Sequence, residues 1–223
     1  MAIVPISNDM MRYATPEFDA QVRDDLVTQI ALGEDAAFLR SVGTEFTPRG
    51  LRAFVKSGQT IASNATYTSA TVLAELIGLQ TKLDLANIPG LKKSWGMSPR
   101  TRNYLRGITT TTGAFVFREE IDRVDATAPE GRLLGWPIYT STQVPINLGS
   151  GSDESEIYAF DANECVIYES RQLELALSTE GVYTDSAGAQ QSAFANDMSL
   201  VRALMAEDFQ MDHDEGVAML TGV

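Results

Sequence analysis

The sequence predicts an α+β fold, and three features of its layout carry that prediction. The chain opens on an extended apolar stretch, Ile3-Val4-Pro5-Ile6-Ser7-Asn8. One long helix follows, opening at Thr15-Pro16-Glu17-Phe18 and running to about Arg40. The second half then breaks into short alternating runs. In the clearest of them Leu173, Leu175 and Leu177 alternate with Glu174 and Ala176, the period of two expected of a half-buried strand.

Each element has a local reason. Thr15 suits an N-cap, Pro16 sits at the first helical position where its missing N–H costs nothing, and Glu17 and Asp19 favour the positive end of the helix dipole. Phe18, Val22, Leu26 and Ile30 recur every four residues and share one side of a rod roughly 38 Å long. Gly33 is its weak point. The exit is rich in turn formers, from Ser41-Val42-Gly43-Thr44 to Thr47-Pro48-Arg49-Gly50-Leu51, and residues 52–60 read as strand into turn. A second helix, residues 70–86, is capped by Thr68 or Ser69, shows Leu73, Leu76, Ile77 and Leu83 on its apolar face, and ends at Asn87 to Gly90. Ser98 and Pro99 open a third helix that stops at Gly107. A Thr-rich loop at 109–113 leads to a turn-rich stretch, and residues 133–144 are extended, with Pro137 confining them to an edge or a bulge. Residues 157–160 and 166–169 are expected to pair as a hairpin around Asp161-Ala162-Asn163-Glu164. Residues 184–191 form a loop. In the long segment 193–211 the helical spacing of Leu200 and Leu204 competes with the strand spacing of Phe209, Met211 and His213. Gly216 then turns the chain into residues 217–220.

A chain of 223 residues with 44% hydrophobic content can bury a core in one domain or in two linked ones. No apolar run approaches the ~20 residues that span a bilayer, and Met1 to Arg12 lacks a signal-peptide pattern, so a soluble chain is expected. Cys165 stands alone in a strand-like run and reads as a small hydrophobe. Residues 1–132 balance 15 basic against 15 acidic side chains, whereas residues 133–223 hold only Arg171 and Arg202 against 15 acids. An acidic surface of that kind does not bind nucleic acid by itself, because phosphate contacts need clustered Lys and Arg.

Catalytic patterns are weak. His213 is the single histidine, flanked by Asp212 and Asp214, but neighbours on a strand point to opposite faces and cannot converge. Asp208, Asp212, Asp214 and Glu215 lack the ligand spacing of an EF-hand. Leu148-Gly149-Ser150-Gly151-Ser152-Asp153 has no Lys and no following helix, so it is a flexible loop tip and not a phosphate cradle. No nucleophile elbow, Walker sequence or cysteine pair is present, and no cofactor, metal or enzymatic activity is expected. Lys92, Lys93, Arg100, Arg102 and Arg106 form the one basic concentration. They read as an inter-subunit docking patch for the acidic C-terminal portion of another copy, because head-to-tail assembly needs two unlike surfaces on one subunit.

The order of these pieces resembles the major capsid proteins of tailed double-stranded-DNA bacteriophages, the HK97-like fold. The resemblance rests on the extended start and long "spine" helix, with Asp35-Ala36-Ala37-Phe38-Leu39 and Thr47-Pro48-Arg49-Gly50 after it. Further along come Trp95-Gly96-Met97-Ser98-Pro99-Arg100-Thr101, Leu134-Gly135-Trp136-Pro137-Ile138 with Val144-Pro145, Phe160-Asp161-Ala162 with Val166-Ile167-Tyr168, and Phe209 to Leu220. It implies a peripheral subdomain from residues 1–45 and 169–223, holding the spine helix and an extended sheet, and an axial α/β subdomain from 46–168. It tips residues 193–211 toward a long bent strand. It also implies a structural role in virions: copies join as pentamers and hexamers of an icosahedral shell, assembled in the host bacterial cytoplasm. The shell encloses DNA without binding it specifically, and its acidic wall keeps DNA from sticking. Scaffold, protease and portal proteins are the further partners implied; no membrane is. The family carries an N-terminal arm and an extended loop ahead of the spine helix. This chain starts almost at that helix, so it is expected to be a fragment, a processed product or a trimmed form. The family's Lys–Asn crosslink is not expected, since its Lys belongs to that loop and Asp197 stands near where its Asn would fall. The rival readings are an encapsulin-type nanocompartment shell of the same fold and, from another class, a small α+β enzyme or ligand-binding protein using His213 and its neighbouring Asp residues.

Overall fold

A computed structural model of the chain describes residues 2–13, 16–64, 66–185 and 187–223. It divides into two compact units: residues 1–34 with 168–208, and residues 35–167 with 209–223.

The first unit is built from both ends of the chain. Strand Ala2–Ser7 pairs antiparallel with strand Met198–Met211, in a register that sets Ala2 opposite Ala203 and Ser7 opposite Met198. Strand Cys165–Ser178 lies on the other side of Met198–Met211, so sheet order is first, last, middle. The strand reading of residues 193–211 therefore holds from Met198 onward. A short helix, Asn8–Tyr13, follows the first strand. Asn8 is held by its amide on Asp197 Oδ1 at 2.6 Å and by the Ser199 hydroxyl on Asn8 Oδ1 at 2.5 Å. The long helix runs Pro16–Arg40, with Leu26 buried and Phe18, Val22 and Ile30 partly covered, as the spacing of four requires. The Thr15 cap lies outside the described residues. Ile6, Leu26, Leu200 and Ala203 are buried in this unit.

The second unit is a six-stranded mixed sheet in the order Thr60–Ala62, Val217–Thr221, Glu156–Asp161, Lys93–Met97, Trp136–Thr140, Arg132–Leu133. Strand periodicity sorts its side chains into two cores. Trp95, Met97, Ile157, Ala159, Ala218 and Leu220 join helix Ser69–Leu85 in one. Tyr158, Val217 and Met219 join Leu51, Phe54 and Phe209 in the other. Gly96, on the second face, is where Phe160 needs room: a Cβ there would lie 3.2 Å from its ring.

Several expectations are corrected. Glu156–Asp161 and Cys165–Ser178 do not form a hairpin, because Glu156–Asp161 already has a partner on each edge, Val217–Thr221 and Lys93–Met97. The turn between them is real but serves the Asp161 carboxylate, which accepts from the backbone N–H groups of Leu91, Lys92 and Asn163. Leu173, Leu175 and Leu177 are strand residues yet exposed, not half-buried. Residues 52–60 begin as a helical turn, Leu51–Phe54, which buries Leu51 and Phe54. On helix Ser69–Leu85 the buried line is Val72, Leu76, Leu79 and Leu83, and Ile77 faces outward. Pro137 is tolerated because its strand's outer neighbour is only the two-residue Arg132–Leu133. His213 lies beyond the strand end at Met211, leading into the single turn Asp214–Gly216.

Candidate assembly surfaces

The basic residues singled out by sequence all belong to the second unit, and most are already engaged there. Strand Lys93–Met97 ends in Ser98, whose hydroxyl accepts from Thr101 N at 3.1 Å and starts helix Pro99–Gly107. From that helix Arg100 donates to the carbonyls of Asp153 (2.7 Å) and Val223 (3.5 Å), and Arg102 to the carbonyl of Glu130 at 2.8 Å. Arg106 pairs with Asp122 at 2.5 Å, a hydrogen bond that holds the Asp122 carboxyl below its usual range. Lys93 pairs with Asp84 and sits 5.6 Å above the Trp136 ring. Lys92 is exposed and, among the described residues, has no ion-pair partner. The three arginines thus tie loops to their own unit, and Lys92 is the cation left facing outward.

The His213 neighbourhood holds a pair that sequence reasoning missed. His213 Nδ1 lies 2.6 Å from Glu164 Oε2; the carboxylate is buried and the ring largely exposed. That hydrogen bond, then the charge of Glu164, raises the imidazole above its ordinary value of 6.5. Asp214 lies 3.9 Å from Lys56, and among the described residues Glu164 is the carboxylate within ion-pair distance of the ring. Among the described residues no three His, Cys, Asp or Glu side chains are placed to hold a metal ion. No described helix is long and apolar enough to cross a membrane. Cys165 is half-buried, and burial, followed by Asp161 and Glu164, pushes its thiol up to about 12.

A second unforeseen cluster surrounds Glu156, whose side chain is 1% exposed. Its carboxylate accepts from Tyr158 OH at 2.6 Å and lies 3.3 Å from Arg52 Nε. Arg40, the last residue of the long helix, donates from Nη2 at 3.4 Å, and its Nε lies 3.3 Å from Oε2 without hydrogen-bond alignment. Burial first, then Glu156, pushes the Tyr158 phenol far above its ordinary range. The signal available in sequence was only the pairing of Glu156 with Tyr158 two residues on, on one strand face.

Two surface features remain. Strands Val42–Thr44 and Thr47–Arg49 form a hairpin whose tip is Glu45-Phe46, with Phe46 89% and Val42 83% exposed. An open cavity of about 300 Å³ lies beside Gly96, lined by Phe38, Leu51, Met97, Val144, Phe160 and Phe209 among others.

The elements and their order define a mixed α+β architecture, and sequence comparison gives the family. The profile of the Phage capsid family matches residues 1–222, and the chain belongs to that family. It is 34% identical over 226 residues to the "Major capsid protein" of Klebsiella oxytoca phage phiKO2, covering all of this chain and 51% of that protein. The chain thus spans about half the length of that relative. The capsid of an empty GTA particle superposes with a TM-score of 0.70 at 15% identity, covering 100% of this chain and 72% of that one. The SrpI encapsulin of Synechococcus elongatus PCC 7942 gives 0.62 at 14% identity, covering 98% and 71%. These likenesses establish the HK97-like fold that the order of elements suggested.

Proposed function

We propose that the chain is the shell-building part of a phage major capsid protein, whose copies join as pentamers and hexamers of an icosahedral shell around double-stranded DNA. The observation that carries this reading is the family match over residues 1–222. The 34% identity to a phage capsid protein favours a virion over an encapsulin compartment, whose likeness is one of fold alone. The role is structural, not enzymatic. Assembly would take place in the host cytoplasm, with scaffold, protease and portal proteins as partners. In this reading the unit of residues 1–34 and 168–208 is the peripheral subdomain and the other the axial one.

The shell is held by repetition: each copy presents unlike surfaces, and many modest contacts sum to a stable container. Of the basic residues, Lys92 is the one suited to meet an acidic surface on another copy. The test is electron microscopy with light scattering, on the chain alone and joined to the portion of the phiKO2 protein that it does not match. Closed shells from the joined form support the reading; monomers from both at every concentration would end it.

A further inference from the structure

We propose that the Glu45-Phe46 hairpin tip of one copy docks into the apolar cavity beside Gly96 of a second copy, with Phe46 seated in the cavity and Glu45 paired with Lys92. This deepens, and rests on, the shell reading. Three observations converge on it.

The first is the tip itself. A phenyl ring placed in water at 89% exposure contributes nothing to its own fold, yet the turn carrying it is well ordered by hydrogen bonds. Thr44 N donates to Thr47 Oγ1 at 3.1 Å, Phe46 N to Thr44 Oγ1 at 3.2 Å, and the two hydroxyls lie 2.8 Å apart. A preorganised aromatic anchor loses little entropy on docking. Val42, also exposed, adds an apolar flank.

The second is the cavity, whose apolar walls include Phe38, Leu51, Met97, Val144 and Phe209; Asp35 also lines it, with its carboxylate accepting from the Ser141 hydroxyl at 2.8 Å. About 150 Å³ of apolar space accommodates a benzene ring, so a cavity of about 300 Å³ has room for Phe46. Gly96 keeps it open, since any side chain there would press on Phe160.

The third is charge. Tyr139 lines both this cavity and a more polar hollow beside it, whose wall includes Lys92, Arg132 and Trp136. Lys93 and Arg132 are paired with Asp84 and Asp125, leaving Lys92 for an incoming carboxylate. Glu45 precedes Phe46 directly and, among the described residues, has no ion-pair partner of its own. Tip and cavity are unlike surfaces, so the contact is heterologous and propagates from copy to copy.

Cys165 also lines the cavity and is the sole cysteine, which makes the contact testable by crosslinking. In assemblies of the joined form that mix Phe46→Cys subunits with unmodified ones, which keep the anchor, oxidation at alkaline pH is expected to give covalent dimers, lost when Cys165→Ser is introduced into both. Phe46→Asp should raise the concentration needed for assembly about tenfold or more without changing the monomer's Tm, as for loss of an interface anchor. Glu45→Lys and Lys92→Glu should each impair assembly, and the double variant should restore it. Normal shells from Phe46→Asp, or a crosslink found only within single chains, would overturn the contact while leaving the shell reading intact. Failure of the unmodified chain to assemble in any form would instead overturn both.

Discussion

At the scale of single residues, two buried carboxylates do the work that sequence patterns assigned elsewhere. Glu156 binds Arg40, Arg52 and Tyr158 at once, joining the end of the long helix and the turn Leu51–Phe54 to the central strand. A buried pair broken on one side strands the other charge. Glu156→Ala is therefore expected to destabilise the chain by about 3–5 kcal/mol in urea unfolding, more than the loss of a single neutral hydrogen bond. Glu164 acts through His213. Because the folded state raises the imidazole's pKa, its stabilisation is fully present below the unfolded value of 6.5 and is lost as pH rises through the folded one. The groups that set it are Glu164, Asp212 and Glu215. The Tm should fall more steeply as pH rises above about 6.5 in the unmodified chain than in His213→Gln; parallel profiles would show that the pair is not linked to folding.

At the scale of elements, legibility tracked how local each cause is. The long helix, helix Pro99–Gly107 and helix Ser69–Leu85 were readable because caps and spacing are near-neighbour properties. Thr68 forms a reciprocal cap with Thr71, so Thr68→Ala should cost about 1 kcal/mol, measured by thermal melt. Leu76, fully buried, should cost about 2–5 kcal/mol on truncation to Ala. Strand partners were less readable, since pairing joins residues far apart in sequence. Ile157–Phe160 alternates as a hairpin strand would, and nothing local shows that Lys93–Met97 and Val217–Thr221 occupy both its edges. The same blindness affected Leu173, Leu175 and Leu177: alternation establishes a strand, but not whether anything covers its apolar face. In the candidate surfaces the basic residues were visible as types, while their engagement by Asp122 and by carbonyls of residues 130, 153 and 223 was not.

At the scale of the whole molecule, charge and assembly meet. The unit formed by residues 1–34 and 168–208 carries 13 acidic against 4 basic side chains, most of the net −13. A surface so depleted in cations has little with which to displace counterions from DNA, so no gel shift of duplex DNA is expected even at low salt. A shift at micromolar protein would contradict the acidic-wall account. The central claim is that this chain is a building block of closed shells, organised by an HK97-like fold. Electron microscopy of the joined form tests it most directly. The account predicts closed particles of uniform diameter with five-fold and six-fold clusters of subunits, and a field of unassembled monomers under every condition would contradict it.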